Sequence, residues 1–174
     1  RVRVGDGRWD DRRLMGVDIA LGCAPLAGLY AEVTDEEADA TGHAALETGV
    51  RLFDTAPLYG HGLSELRLGR ALRGVPRDRF ELETKVGRVL VPGEETSIFV
   101  GAPALKPVFD FTRDGVRRSL EASLRRLGGD RVDTLLLHDP DDHWAQAIAE
   151  AYPAIEQLRS DGTVTRIGAG MNQS

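Results

Sequence analysis

Two hydrophobic periods take turns along this chain. Residues 17–22 (Val-Asp-Ile-Ala-Leu-Gly) form a short apolar run of strand length. A helix signal follows, because Thr34 and Glu37 stand at capping-box spacing ahead of Ala38, Ala45 and Leu46. The order then recurs. Residues 50–53 (Val-Arg-Leu-Phe) predict a strand ending at Asp54, and residues 64–72, with Leu68 and Leu72 four apart, predict a helix. Residues 80–84 predict a strand ending at Lys85, after which Pro92, Pro103 and Pro107 mark a longer loop. Thr112 stands where it caps a helix whose Val116, Leu120, Leu124 and Leu127 share one stripe. Residues 132–137 predict a strand ending at His138. Residues 144–158 predict a helix with Ile148, Tyr152, Ile155 and Leu158 on one side and a kink at Pro153, and residues 164–168 a fifth strand. At the front, Arg1-Val2-Arg3-Val4 alternates in period two and runs into Gly5-Asp6-Gly7, which reads as a short hairpin. Residues 1–16 are therefore set apart as an N-terminal segment from residues 17–174.

Strands alternating with helices at this spacing imply parallel strands joined by right-handed crossovers, in either a doubly wound α/β sheet or a (β/α)8 TIM barrel. A doubly wound nucleotide fold carries a glycine-rich phosphate loop after its first strand. Leu21-Gly22-Cys23-Ala24-Pro25 has no such pattern, so the barrel is the expected fold. Three strands end in an ionisable residue, Asp54, Lys85 and His138. In a barrel the C-terminal strand ends converge on the active site.

Composition narrows the functional classes. With 41% hydrophobic residues and no uninterrupted apolar stretch of the ~20 residues a membrane span needs, no membrane partner is expected. A net charge of −6, with arginines interleaved among acids as in Arg77-Asp78-Arg79, offers no basic face to nucleic acid. The one cysteine, Cys23, has no internal disulfide partner, and no leader-like pattern precedes it, which fits a cytoplasmic location. Of 22 basic residues only Lys85 and Lys106 are lysines, so a lysine at a strand end calls for a chemical reason.

Taken singly, each candidate has a plain reading: Asp54 as a turn former, His138 as a packed residue, Tyr59 as a loop aromatic, Lys85 as a surface charge. Together they describe a proton-transfer site. A phenol is a poor acid at neutral pH, and a neighbouring buried ammonium favours its ionised form. Lysine, a compact point charge, suits this better than the arginine fork. Asp54 would hold Lys85 in place, and His138 would donate a hydrogen bond to a substrate oxygen.

The stretch F-D-T-A-P-L-Y-G at residues 53–60, L-S-E-x-x-L-G-x-A-L at 63–72, E-T-K-V-G at 83–87 and L-L-H-D-P-D at 136–141 resemble the ordered signature of the aldo-keto reductases. The resemblance implies Asp54, Tyr59, Lys85 and His138 as a catalytic tetrad, NAD or NADP as cofactor, and a small carbonyl or sugar as substrate. Within the family, A-P-L-A-G-L-Y near the start, H-D-P-D and I-G-A-G-M-N-Q at 167–173 look most like the branch of aldose (fucose-type) 1-dehydrogenases and pyridoxal dehydrogenases. Where many members have a Ser-Asn pair that binds the nicotinamide carboxamide, this chain has Gly170, Met171 and Asn172, so the resemblance implies cofactor contacts there. The family barrel has eight strands, and this chain is expected to cover it to just after the fifth. Two other readings remain: a metal-dependent barrel hydrolase using the cluster from His138 to His143, and a catalytically inactive fragment or binding subunit.

Overall fold

The computed structural model describes residues 19–29, 31–94 and 97–171; the N-terminal hairpin reading and Asn172 lie outside them. Five strands, β1 (Ala20–Gly22), β2 (Leu52–Asp54), β3 (Glu81–Val86), β6 (Thr134–His138) and β7 (Arg166–Gly170), form one parallel sheet in the order β1-β2-β3-β6-β7. The registers Gly22↔Asp54, Asp54↔Glu83, Lys85↔Leu136 and His138↔Gly170 bring the C-terminal ends of all five to one side. Helices α1 (Asp35–Glu47), α2 (Leu63–Ala71) and α3 (Arg113–Leu127) cross over between strands, as the alternating pattern requires.

The local signals act as read. The Thr34 hydroxyl accepts from the Glu37 amide at 3.2 Å and Glu37 accepts from the Thr34 amide at 2.7 Å, closing the capping box that starts α1. Thr112 caps α3 by accepting from the Gly115 amide at 3.0 Å, and Val116, Leu120 and Leu127 are buried beneath that helix. Phe53 and Phe80 meet edge to face, 6.5 Å between centroids, in the core between sheet and helices. Gly69 lets α2 and α3 touch backbone to backbone: a Cβ there would stand 2.5 Å from the Leu127 carbonyl oxygen.

Three expectations are corrected. The proline-marked loop holds an antiparallel hairpin, β4 (Arg88–Pro92) with β5 (Leu105–Phe109). Proline is tolerated there because a two-stranded ribbon has an outward edge on each strand, where no N–H is needed. The helix predicted over 144–158 begins as α4 (Trp144–Gln146), widens into a π-helical segment over Ala147–Ala151, and resumes as α5 (Tyr152–Ser160). Pro153 has no N–H and its ring crowds the preceding turn, and the wider turn gives it room. The fifth strand begins at Arg166 rather than Val164, because the Val164 amide still bonds back to Leu158 at the end of α5. Among the described residues no helix is long and apolar enough to cross a membrane.

Candidate active site

Asp54 ends β2, Lys85 lies near the end of β3 and His138 ends β6, so the parallel sheet alone gathers them at one rim. Tyr59 sits in the turn between β2 and α2. The Lys85 ammonium is ion-paired with Asp54 and donates to the Thr55 carbonyl at 3.0 Å. It stands 4.8 Å from the centroid of the Tyr59 ring, and that ring meets His138 edge to face at 5.9 Å. All four predicted residues therefore form one continuous set of contacts.

Their surroundings set their charges. Burial works against the charge on Lys85, but the Asp54 carboxylate and Tyr59 outweigh it and hold the ammonium above the usual lysine range. At His138 burial dominates, and with the positive charges of Lys85 and Arg88 it pulls the imidazole down to about 4 against the opposing attraction of Asp139. The ring is neutral at pH 7. Cys23, behind Asp54, is also buried; burial and the Asp54 charge push its thiol up to about 12, so it is no nucleophile.

The turn carrying Tyr59 is held from below by groups that the sequence reading did not single out. Glu65, fully buried on α2, accepts from the Thr84 hydroxyl on β3 at 2.7 Å and from Arg126 on α3 at 2.7 Å. Ser64 bonds to Thr55 at 2.9 Å and donates to the Cys23 carbonyl at 2.7 Å. These contacts tie the start of α2 to β1, β2 and β3. The S-E pair was visible only as part of a motif, and its partner Arg126 lies 61 residues away.

At the other side of the rim Arg88, the first residue of β4, stacks on Phe109 at 4.0 Å and donates to Asp139 at 2.9 Å. Asp139 has a left-handed backbone, φ 46°, and its amide donates to the Gly170 carbonyl at 2.8 Å. Phe99, between the hairpin strands, comes within 6.5 Å of the Tyr59 ring. Arg88 and Phe99 carry no sequence signal, since their segment reads as a loop, and Asp139 stood out only within the H-D-P-D motif and the cluster from His138 to His143. The acid- and histidine-rich cluster does not gather. His143 packs its ring, tilted, against Phe109 and Phe111, at 4.2 and 5.6 Å between centroids, and among the described residues no three His, Cys, Asp or Glu side chains converge as a metal site. Gly170 ends β7 beside Lys85, where a Cβ would come 3.1 Å from the lysine Cε, and Met171 is exposed next to it.

The profile of the Aldo/keto reductase family matches residues 18–173. The chain belongs to the aldo/keto reductase family. Among its relatives in this family, D-threo-aldose 1-dehydrogenase of a Pseudomonas species is 43% identical over 161 residues, covering 87% of this chain and 49% of the relative. Pyridoxal 4-dehydrogenase of Microbacterium luteolum is 36% identical, covering 89% of this chain and 52% of the relative. In structure, the aldo/keto reductase fold here superposes on the glycerol dehydrogenase of Gluconobacter oxydans with a TM-score of 0.70 and 32% identity, over 91% of this chain and 47% of that one. An aldo-keto reductase of Klebsiella pneumoniae in complex with NADPH gives 0.62 and 27% identity, over 87% of this chain and 44% of that one. The chain thus spans about half the length of the curated relatives it matches, and its parallel sheet is the corresponding arc of the family's (β/α)8 barrel.

Proposed function

We propose that this chain carries the proton-transfer site of an NAD(P)-dependent oxidoreductase that interconverts a small carbonyl and its alcohol, with a free aldose as substrate. The observation that carries the reading is the Lys85 ammonium, held by Asp54 and lying 4.8 Å from the Tyr59 ring. A positive charge in this position stabilises negative charge on the Tyr59 oxygen as its proton leaves. In the reducing direction Tyr59 gives that proton to the substrate oxygen, and in the oxidising direction it takes the proton back. Neutral His138, across the Tyr59 ring, donates a hydrogen bond to the same oxygen and orients the carbonyl. The aldose preference rests on the names of the aldose and pyridoxal dehydrogenases among the relatives.

The rim fits a nicotinamide cofactor in one respect. Gly170 presents no side chain beside Lys85, which leaves backbone open next to the lysine that pairs with Asp54. Gly170 and Met171, with Asn172, would hold the ring. When bound, the cofactor supplies or accepts the hydride at the carbonyl carbon.

The test is turnover, by a form in which the eight-stranded barrel is complete, with NAD+ and NADP+ against fucose-type aldoses, pyridoxal, glycerol and simple aldehydes. Turnover fastest with an aldose is expected. Cofactor binding without turnover of any of them would remove the reading.

A further inference from the structure

We propose that Asp139, pinned by Arg88, is a positioning residue that keeps the single ring proton of His138 on Nε2. This deepens the oxidoreductase reading and rests on it for the role of His138. A neutral imidazole carries one N–H, and the nitrogen that bears it decides whether the ring donates to a substrate oxygen or turns a lone pair toward it. Tautomer choice in a buried ring is made by the neighbours of its two nitrogens. Among the described residues His138 Nδ1 is buried with no hydrogen-bond partner, so nothing there selects a tautomer. On the other side the Asp139 carboxylate lies 3.6 Å from Nε2. With the proton on Nδ1, the Nε2 lone pair would face a carboxylate; with the proton on Nε2, an N–H dipole faces it. The second arrangement is the stable one.

The distance matters in a second way. At 3.6 Å the carboxylate is beyond hydrogen-bond reach, so it biases the proton without capturing it, and the N–H stays available to a substrate oxygen. Arg88 explains why the carboxylate does not close in. Its guanidinium, stacked on Phe109, holds Asp139 at 2.9 Å, and the Asp139 amide is anchored to Gly170. Among the described residues the charged and titratable groups facing His138 are Asp139 on its own strand end, Lys85 on β3, Arg88 on β4 and Tyr59 after β2. Of these only Asp139 attracts an N–H proton through its charge at pH 7, while Lys85 and Arg88 repel it.

Side-chain 15N shifts of His138 in the full chain read the tautomer without any turnover. The wild-type chain is expected to show Nε2–H alone. Asp139→Asn keeps the shape, tolerates the left-handed backbone and removes the charge, and is expected to give a mixture containing Nδ1–H. Asp139→Gly, also at home at positive φ, provides the same reading if the first variant folds poorly. The titration of His138 should move down in Asp139→Asn and up in Arg88→Met, opposite directions that a merely structural role would not produce. Where turnover is present, Asp139→Asn should lower kcat by roughly tenfold with cofactor affinity unchanged. A ring that stays wholly Nε2–H in both Asp139 variants overturns the proposal and leaves the oxidoreductase reading intact. That reading fails separately, if Tyr59→Phe keeps full turnover.

Discussion

One hydroxyl group carries the proposed chemistry. Tyr59→Phe keeps the ring against Lys85 and His138 and removes only the transferable proton. Turnover is expected to fall by about a hundredfold or more while cofactor fluorescence titration gives an unchanged affinity. His138 carries a pH effect of a different kind. Its folded value of about 4 lies below the roughly 6.5 of an unfolded histidine, so between these values the unfolded chain binds more protons. Its buried neutral ring therefore costs nothing above about pH 6.5, lowers stability progressively as pH falls from there to about 4, and adds no further loss below. The whole effect is at most about 3 kcal/mol. Urea midpoints of wild type and His138→Gln, compared across pH 4 to 7, should show a steeper acid decline in the wild type. Parallel curves would show that His138 titrates normally.

Between elements, close approaches are decided by single small residues. Gly87 joins β3 to β4 with φ 105°, and a Cβ there would stand 2.3 Å from the Phe111 ring. Phe111 in turn stacks on Phe109, which carries Arg88. Gly87→Ala therefore imposes both a left-handed backbone and a clash, and is expected to destabilise by about 2–4 kcal/mol in denaturant unfolding. Because the displaced ring belongs to the hairpin's aromatic stack, the same variant should weaken the Arg88–Asp139 contact. A loss under 1 kcal/mol would mean that the hairpin is free to shift. The hairpin was hidden in the sequence because its apolar residues, such as Val89, Leu90 and Val108, are interrupted by prolines that usually mark loops.

At the scale of the whole molecule, the described sheet has two edges, β1 and β7, and its strands do not close on themselves. A parallel barrel is stable because closure removes edges, and an unpaired edge seeks another strand. These 174 residues expressed by themselves are expected to self-associate and to turn over substrate slowly or not at all. Size-exclusion chromatography with light scattering checks the first, and steady-state NAD(P)H absorbance the second. A monomer with tight cofactor binding and ordinary turnover would contradict this. Exposed Trp144, Ile148 and Tyr152, one helical turn apart on the last helical run, offer an apolar row to such contacts.

Strand and helix alternation, the caps at Thr34 and Thr112, and the strand ends at Asp54, Lys85 and His138 were all legible from the sequence. They depend on period and on neighbours a few residues apart, and parallel connection by itself sends every strand end to the same rim. The gathering of Asp54, Tyr59, Lys85 and His138 followed from that rule, and the family motifs marked the same four. The tertiary structure alone decided what lies around them. The ion pair of Arg88 with Asp139, 51 residues apart, the burial of Glu65 between Thr84 and Arg126, and the packing of His143 against Phe109 have no local signature. Such contacts exist only once separate elements pack, and packing sets which nitrogen of His138 faces a charge.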